Sequence, residues 1–255
     1  MSRHAVDERT TGRLKHLRGL NSAPTPSRRC LDAAEPTVFA GAMYLPRHFA
    51  ETDPTTLRDA VRQIRAGELI TYGSEGIEAS FVPLLISEDA TTVTGHLAKA
   101  NGQWQRADLS VPALVTWVGP YAYVSPSYYP SKAEDGRVVP TWNYTAVQAK
   151  GVLILHEEAR WKRDHVESLT GFHEHGFPEP WSVQDAPEDY IDKLLKSIVG
   201  LEIRLTSLSG KWKLSQNRSQ PDVAGVIASL ARHGDTSPEA CVARSMAGVA
   251  TPAAD

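Results

Sequence analysis

Three short stretches of this 255-residue chain combine imidazole, amide, aromatic and cationic side chains. They cover residues 95–101 (GHLAKAN), 139–144 (VPTWNY) and 211–218 (KWKLSQNR). A barrel held together only by its core needs apolar alternation and no such mixture, so these stretches are the candidates for ligand chemistry. The generic catalytic signatures do not occur in the sequence, namely GxGxxG, the Walker loop, HExxH, GxSxG and paired Cys/His zinc spacing.

His96 carries the most versatile of these groups. It follows Thr92 and Thr94 on the polar side of a period-two run, and the neighbouring Gly95 lets a planar group approach. An imidazole in this position can ligate a haem iron or hydrogen-bond a flavin. The alternative is a histidine at the rim of a barrel that bonds a backbone carbonyl.

The other two stretches offer an aromatic surface and a group of hydrogen-bond donors. Asn143 lies between Trp142 and Tyr144, which indicates either the floor of a site for a flat ligand or an aromatic anchor buried at a dimer interface. Cationic and amide donors precede a predicted helix and suit either a bound phosphate or carboxylate or a solvated N-cap loop. These donors are Lys213, Ser215, Gln216, Asn217 and Arg218.

A group of histidines near one predicted helix does not indicate a metal site. His165, His173 and His175 have a spacing that is neither i,i+4 nor a known zinc pattern, although Glu174 lies between the last two. We therefore expect no metal ion at this helix.

The elements that must position the candidate groups are mainly strands. Runs rich in strand-forming residues lie at 69–72, 80–86, 91–97, 113–118, 121–125 and 146–155, and a period-two run follows at 199–206. Helical patterns occur from the N-cap Asp53 to Gly67, at 157–169 and 188–198, and from the N-cap Ser219 to Gly234. This order predicts a mainly β (α+β) fold, an antiparallel barrel or sandwich with flanking helices.

Local composition predicts one structured domain with loose ends. Residues 1–42 mix Arg, Thr, Ser and Pro without apolar periodicity and predict a disordered extension. The domain is placed at 43–235. Residues 236–255 are rich in Ala, Pro and Ser and predict a flexible tail.

Charge and cysteine content exclude further classes of protein. The chain has 27 basic and 30 acidic residues, and residues 43–255 carry 20 basic and 26 acidic ones, or −6, which is a poor match for DNA. Only Cys30 and Cys241 are present, so neither a disulfide framework nor a thiolate zinc site is expected. No apolar run approaches the ~20 residues of a membrane helix. We therefore expect a cytoplasmic protein that does not enter a membrane.

Five motifs, in order along the chain, together resemble the PaiB family. They are residues 43–49 (MYLPRHF), 95–101 (GHLAKAN), 125–129 (SPSYY), 139–144 (VPTWNY) and 213–218 (KLSQNR), the last followed by AGVI at 224–227. The resemblance covers about residues 43–234 and implies an FMN-binding split β-barrel, usually a homodimer with ligand pockets between the subunits. An excess of aromatic residues over what one small barrel can bury supports an interface near Tyr121, Tyr123, Tyr128, Tyr129, Trp142 and Tyr144.

The resemblance implies two functions of different classes. PaiB-like proteins are described as FMN-binding negative transcriptional regulators, whereas a branch of similar sequence contains haem-dependent piperazate synthases. Those enzymes cyclise N5-hydroxy-L-ornithine to L-piperazic acid, forming a nitrogen–nitrogen bond with loss of water. Gln148 stands where a His commonly follows the WNY motif, and Gly102 stands where a Pro is common. Without a second His one iron face stays free for substrate, which favours the enzyme; DNA is a partner only of the regulator.

The enzyme interpretation gives each candidate residue a role. His96 is the expected axial ligand of the haem b iron, and a hydroxylated ornithine is the expected substrate. The expected contacts to the haem propionates or to the substrate carboxylate are Lys99, Lys213 and Arg218, with Trp142 packing on the cofactor. The residues expected to position the substrate for catalysis are Ser127, Asn143 and Tyr144. In the regulator interpretation the cofactor is FMN.

Overall fold

A computed structural model describes residues 43–250 of the chain. The predicted extension at 1–42 and the last five residues of the predicted tail lie outside the described residues. The strands are β1 (Ala50–Glu51), β2 (Ala66–Gly73), β3 (Gly76–Pro83), β4 (Leu85–Ile86), β5 (Thr92–Ala98), β6 (Ala113–Val124), β7 (Thr141–His156) and β8 (Ile198–Lys213). The helices are α1 (Pro54–Ile64), α2 (Gln103–Arg106), α3 (Ala159–Glu174), α4 (Glu188–Leu195), α5 (Gln220–Leu230) and α6 (Pro238–Ala250). None of these helices is long and apolar enough to cross a bilayer.

One antiparallel sheet organises the described residues. Its strand order is β3-β2-β6-β7-β8-β5-β4, and the short β1 pairs with β8. The predicted mainly β architecture with flanking helices is therefore confirmed. β6, β7 and β8 are its longest members and run in adjacent positions, so they extend beyond the region that the other strands cover.

The main core lies on the inner face of the sheet. Trp117 is fully buried there, and Leu57 and Val61 of α1 pack into the same cluster. Asp53 caps α1 as predicted, because its carboxylate accepts a hydrogen bond from the Thr56 backbone N–H at 2.8 Å. The helix ends at Ile64 and not at Gly67, which lies in β2.

Gly67 is required by close packing in β2 and not by the end of α1. A Cβ atom at this position would lie 2.6 Å from the carbonyl oxygen of Thr116 and 2.8 Å from the indole of Trp117. The predicted role of Gly67 as a helix stop is therefore wrong, and Arg65, with a φ of 71°, makes the turn out of α1.

Two pairs of predicted boundaries differ from the structure because of β-bulges. The separate runs at 113–118 and 121–125 form the single strand β6, whose pairing with β7 shifts register between Val118 and Tyr121. The pairing of β7 with β8 shifts at Lys150 and Gly151, and β8 continues to Lys213 and not only to residue 206. Each bulge interrupts the period-two pattern, and an interrupted pattern predicts a strand end where there is none.

The C-terminal residues form a helix and not the predicted flexible tail. α6 spans Pro238–Ala250, and the backbone N–H of Ala240 donates to the Ser237 hydroxyl at 3.0 Å. Val242 and Met246, four residues apart, are buried against Val226 and Leu230 of α5. Ser237 followed by Pro238 is an N-cap and first-turn signal, and Ala favours helices, so the sequence contained the features of a helix start.

Candidate functional site

The far ends of β6, β7 and β8 carry a surface that we call the aromatic–lysine face. In the register of these strands Tyr121 lies opposite Tyr144, Tyr123 opposite Trp142, and Tyr144 opposite Lys213. Residues opposite each other, or two apart on one strand, point to the same side of a sheet. The face therefore consists of Tyr121, Tyr123, Trp142, Tyr144, Lys211 and Lys213.

Trp142 lies at the centre of the aromatic part of this face. Its indole contacts the ring of Tyr121, with centroids 6.2 Å apart, and that of Tyr123, with centroids 5.8 Å apart. The side chain is 52% exposed and both tyrosines are exposed as well. A connected, solvent-facing aromatic surface suits both of the predicted uses, a floor for a flat ligand and an interface anchor.

Both lysines of the face are held in place by the chain itself. Lys213 Nζ donates to Thr141 Oγ1 at 2.7 Å and to the carbonyl of Trp142. Lys211 Nζ donates to the carbonyl of Tyr44 at 3.0 Å and lies 5.8 Å from the centre of the Tyr144 ring. These contacts orient both ammonium groups without neutralising them.

A third cation lies close to the aromatic–lysine face. Arg218 follows the end of β8, and its guanidinium lies over the Tyr129 ring at 5.0 Å. Within residues 43–250 no carboxylate oxygen lies within 4.0 Å of Lys211, Lys213 or Arg218. Burial lowers the pKa of Lys213, and the positive charges of Lys211 and Arg218 lower it further. This end of β8 therefore carries excess positive charge, which an anion would stabilise.

Asn143 does not share a site with Trp142 and Tyr144, contrary to its predicted role. Alternation along β7 turns it to the opposite side, where it is fully buried under α6. Its Nδ2 donates to Ser215 Oγ at 2.9 Å and lies 3.3 Å from Met246 Sδ. Asn143 therefore joins β7 to the turn after β8, in which Ser215 has a φ of 67°.

Ser127 lies outside the strands that form the aromatic–lysine face. It lies in a short 3-10 helix, Pro126–Tyr128, and is exposed. Its hydroxyl is 2.7 Å from that of Ser125, which also accepts a hydrogen bond from the Ser127 backbone N–H. The recorded contacts of Ser127 stabilise its own turn.

His96 and Lys99 lie near the opposite end of β8. His96 is paired with Gly200, near the start of β8, whereas Lys213 is its last residue. At about 3.3 Å per residue, roughly 40 Å of strand separates the two positions. One chain therefore does not bring together the predicted cofactor contacts His96 and Lys99 with Lys213 and Arg218.

His96 contacts a second histidine that the sequence did not associate with it. Its Nδ1 lies 3.2 Å from Nε2 of His165, a residue of α3. His165 is only 5% exposed, and Trp161 stacks on its ring. Burial lowers the pKa of His165 to about 4, and the charge of a protonated His96 lowers it as well. Burial also lowers the pKa of His96, so both rings are neutral at neutral pH.

The charged groups around the histidine pair already have partners. Lys99 Nζ forms an ion pair with Glu157 at 2.6 Å. Lys162 Nζ is buried and donates to the carbonyl of Leu195 at 2.7 Å, at the end of α4. No cluster of three or more His, Cys, Asp or Glu side chains suited to a metal ion occurs in the described part of the chain.

Comparisons with known proteins decide the family. Residues 43–207 match the family described as "Putative FMN-binding domain". The Bacillus subtilis protein named protease synthase and sporulation protein PAI 2 is 31% identical over 191 residues, which cover 74% of this chain and 89% of that protein. The chain belongs to the PaiB family of FMN-binding split-barrel proteins. An uncharacterized Aspergillus fumigatus protein is likewise 31% identical, over 75% of this chain and 92% of its own length.

Among solved structures, the FAD and heme binding protein from Mycobacterium smegmatis overlaps this PaiB-family chain with a TM-score of 0.49. The two are 15% identical, and the overlap covers 69% of this chain and 78% of the other. Family membership confirms the predicted resemblance and its split β-barrel, while the expected haem-dependent piperazate synthase finds no support in these relatives.

The residues of this PaiB-family chain fit the cofactor for which the family is named. FMN combines a flat ring system with a phosphate that carries negative charge. The aromatic–lysine face offers exposed rings beside Lys211 and Lys213, two oriented ammonium groups that have no carboxylate partner among the described residues. The aromatic surface suits the ring system, and the cations suit the phosphate.

Proposed function

We propose that this PaiB-family protein binds FMN on the aromatic–lysine face, with the phosphate held by Lys211 and Lys213. The observation that supports this most directly is the excess positive charge at the end of β8. Burial lowers the pKa of Lys213, the charges of Lys211 and Arg218 lower it further, and no described carboxylate lies within ion-pair distance of these three cations. A bound phosphate relieves this repulsion. When bound, a flavin supplies hydride or single-electron transfer.

The chain fixes both lysines before any ligand arrives. Lys213 is oriented by Thr141 and by the Trp142 carbonyl, and Lys211 by the carbonyl of Tyr44. Oriented donors lose little freedom on binding, so their contacts contribute more to affinity. Trp142 and the neighbouring tyrosines then offer apolar area to the ring system on the same side of the sheet.

FMN titration of the purified protein tests this proposal. We expect Lys213→Gln to weaken FMN binding by about 10-fold or more, because a charge-assisted hydrogen bond contributes about 1.5–3 kcal/mol. Riboflavin, which lacks the phosphate, should bind the unmodified protein more weakly than FMN does. Its affinity should be the same for the unmodified protein and for Lys213→Gln. Lys193→Gln, at an exposed lysine of α4, is the matched control. Equal affinity of FMN and riboflavin for the unmodified protein would contradict the proposed phosphate site.

A second copy of this chain is the partner that we propose for the outer side of the sheet. Ile77 is 76% exposed and Phe81 is 74% exposed on β3, and Tyr72 and Val118 are exposed on the neighbouring β2 and β6. Such a row of apolar side chains on one face typically marks an interface, and a face that pairs with itself forms a two-fold dimer.

Light scattering tests the dimer. We expect twice the mass of the 27.9 kDa chain, and we expect Phe81→Glu to shift the protein towards a monomer. Tyr190→Glu, at an exposed aromatic residue of α4, should leave the mass unchanged. A single-chain mass for the unmodified protein would refute the dimer.

A haem-dependent enzyme is the second candidate, favoured by one observation. A histidine that ligates a metal usually gives its other ring N–H to a fixed partner, and Nδ1 of His96 has such a partner in His165. This arrangement leaves Nε2 of His96 for an iron. Haem reconstitution should then give a Soret band that His96→Ala loses, and the protein should convert N5-hydroxyornithine without NAD(P)H. Recovery of unchanged N5-hydroxyornithine eliminates the piperazate synthase.

A regulatory role of the PaiB type is the activity that we attach to FMN binding. It requires contact with DNA despite the acidic balance of residues 43–255. FMN-loaded protein should therefore retard a promoter fragment at physiological salt in preference to a scrambled fragment of equal length. Equal retardation of both fragments would argue against regulation through DNA.

A further inference from the structure

A cavity of about 390 Å³ lies between the end of β8 and the helices α5 and α6. Pockets for small ligands begin at about 300 Å³, so the space can hold one. The lining residues within 43–250 all come after residue 207, where the match to the FMN-binding family ends. The FMN proposal places no ligand in this cavity, although Arg218, which lines it, adds to the positive charge at the end of β8.

The walls of the cavity are mostly apolar. Val223 and Ile227 of α5 and Met246 and Val249 of α6 line it, and Leu214 of the turn after β8 closes one side. Met246 is held from behind by Asn143, whose Nδ2 lies 3.3 Å from its Sδ. These walls therefore rest on a fixed framework and suit an aliphatic or aromatic body.

The polar part of the cavity is positively charged. Arg218 lines it, is half-buried and makes no ion pair within residues 43–250. Its guanidinium lies over the Tyr129 ring, 5.0 Å from the ring centre, and a guanidinium can donate two parallel hydrogen bonds to a carboxylate. Gln216 also lines the cavity, but its amide is engaged with the backbone of Leu214 and Trp212. Arg218 is therefore the group that recognises the polar end of a ligand.

The acidic residue of α5, Asp222, forms no direct ion pair with Arg218 in the described part of the chain. Asp222 is buried and accepts hydrogen bonds from the backbone N–H and the hydroxyl of Ser131, at 3.1 Å and 2.9 Å. Burial opposes its ionisation, but the hydrogen bonds from Ser131 and Ser219, together with the positive charge of Arg218, outweigh burial and lower its pKa. Its carboxylate is used to fasten α5 to the segment before β7, and it is not among the residues that line the cavity.

We propose that this cavity binds a small amphipathic carboxylate, a monocarboxylic acid with an aliphatic or aromatic body. The carboxylate pairs with Arg218, and the body packs among Val223, Ile227 and Met246. The lining of the cavity does not include Lys211 and Lys213, the proposed phosphate contacts, although the charge of Arg218 also acts on Lys213.

Calorimetric titration with octanoate and with 2-naphthoate tests the site and distinguishes the two kinds of body. We expect at least one of them to bind saturably with one site per chain, and 1-octanol to bind at least about 10-fold more weakly than octanoate, because it lacks the charge. Arg218→Gln should remove this preference for the carboxylate. The same titrations with FMN-loaded protein should give the same stoichiometry.

Two substitutions in α5 test whether the carboxylate binds in this cavity. Ala224 lines the cavity at an exposed position, so Ala224→Phe fills the space without disturbing the core and should abolish carboxylate binding. Ala228→Phe places the same ring one turn further on, outside the lining residues, and should bind as the unmodified protein does. The FMN titration should be unchanged in both variants and weakened only in Lys213→Gln, which separates failure of one proposal from failure of the other.

Three results would overturn the proposal. They are the absence of saturable binding by both carboxylates, equal binding of octanoate and 1-octanol, and unchanged carboxylate binding in Ala224→Phe with a native circular dichroism spectrum. If Ala224→Phe does not fold, Val249→Phe fills the cavity from α6, at another partly exposed position, and its titration decides in the same way.

Discussion

The two ends of β8 carry cations that are treated in opposite ways. Near Gly200, Lys99 is paired with Glu157, and the two histidines across the sheet are neutral. At the other end, Lys211 and Lys213 are oriented by carbonyl and hydroxyl oxygens, and no carboxylate in the described part of the chain forms an ion pair with them. Where the charges of the chain are already balanced, a bound anion adds little electrostatic stabilisation. The end with excess charge is therefore the one at which we propose that the ligand binds.

Reversing one charge at the end with excess charge has the largest expected effect. Lys213→Glu removes a donor and adds a carboxylate beside Lys211, so the local charge is balanced and the phosphate is repelled. We expect the FMN affinity to fall by about 100-fold or more, as for loss of a charge-assisted bond together with repulsion. FMN titration measures this. Lys193→Glu is the control, and a similar loss in that variant would mean that net charge alone is responsible.

The end of β8 near Gly200, where His96 and His165 lie, should affect the pH dependence of the free energy of unfolding and not the affinity for a ligand. The pKa of His165 is about 4 in the folded chain, below its ordinary value of 6.5. The folded state therefore binds fewer protons, and the stability that a neutral His165 allows is complete above about pH 6.5 and is lost as the pH falls through about 4.

The loss should amount to about 3 kcal/mol in the free energy of unfolding, measured by urea titration across this pH range. His165→Gln should flatten the profile relative to the unmodified protein. His175→Gln, at an exposed histidine just after α3, should retain the full pH dependence. A profile for His165→Gln that still falls as steeply would show that carboxylates alone produce the acid transition.

Asn143 connects the two sides of the far end of the sheet. Asn143→Ala leaves the buried Ser215 hydroxyl without its partner, so we expect a loss of about 2 kcal/mol in the free energy of unfolding. FMN binding should change little, because Asn143 faces away from Trp142. Urea unfolding and FMN titration measure the two effects separately. Asn217→Ala, at an exposed position, should affect neither, and a selective loss of FMN affinity in Asn143→Ala would return this residue to the ligand site.

Lys99 should have the smallest effect. Its ion pair with Glu157 is solvent-exposed, and such pairs contribute less than about 1 kcal/mol. Lys99→Gln should therefore change the free energy of unfolding by less than about 1 kcal/mol and leave FMN affinity within about 2-fold. A loss of FMN affinity as large as that of Lys213→Gln would mean that the balanced end of β8 also contacts the cofactor.

Local patterns in the sequence predict much of the fold but only part of the candidate site. The alternation around His96 correctly places it on the polar row of β5, because burial there depends on neighbours two residues apart. Its contact with His165 joins residues 69 positions apart, and no local pattern encodes such a contact. The same limit applies to Asn143, whose neighbours in sequence are aromatic but whose partners are Ser215 and Met246.

The separation of His96 from Lys213 has a similar origin. Both residues lie in motifs that carry the resemblance to the PaiB family. Such motifs indicate common ancestry, but they do not show how far apart two residues lie in the folded chain. Their placement depends on the length of β8, which the bulge conceals because the alternation of buried residues changes phase there. In β8 the buried residues are Val199, Gly200, Leu201 and Ile203 before the bulge and Gly210 after it.

The two bulges also determine which length changes the chain can absorb. β6 has one residue more than β7 between Val118 and Tyr121, and β8 has one residue more at Thr206, whereas β7 alternates without interruption from Asn143 to Leu153. Deleting one residue at 119–120 or at Thr206 removes a bulge and leaves Tyr121 and Lys213 on their original side. Deleting one residue inside β7 instead moves Trp142 and Tyr144 to the side of α5 and α6. Among β6, β7 and β8, β7 is therefore the strand whose length tolerates an insertion or a deletion least.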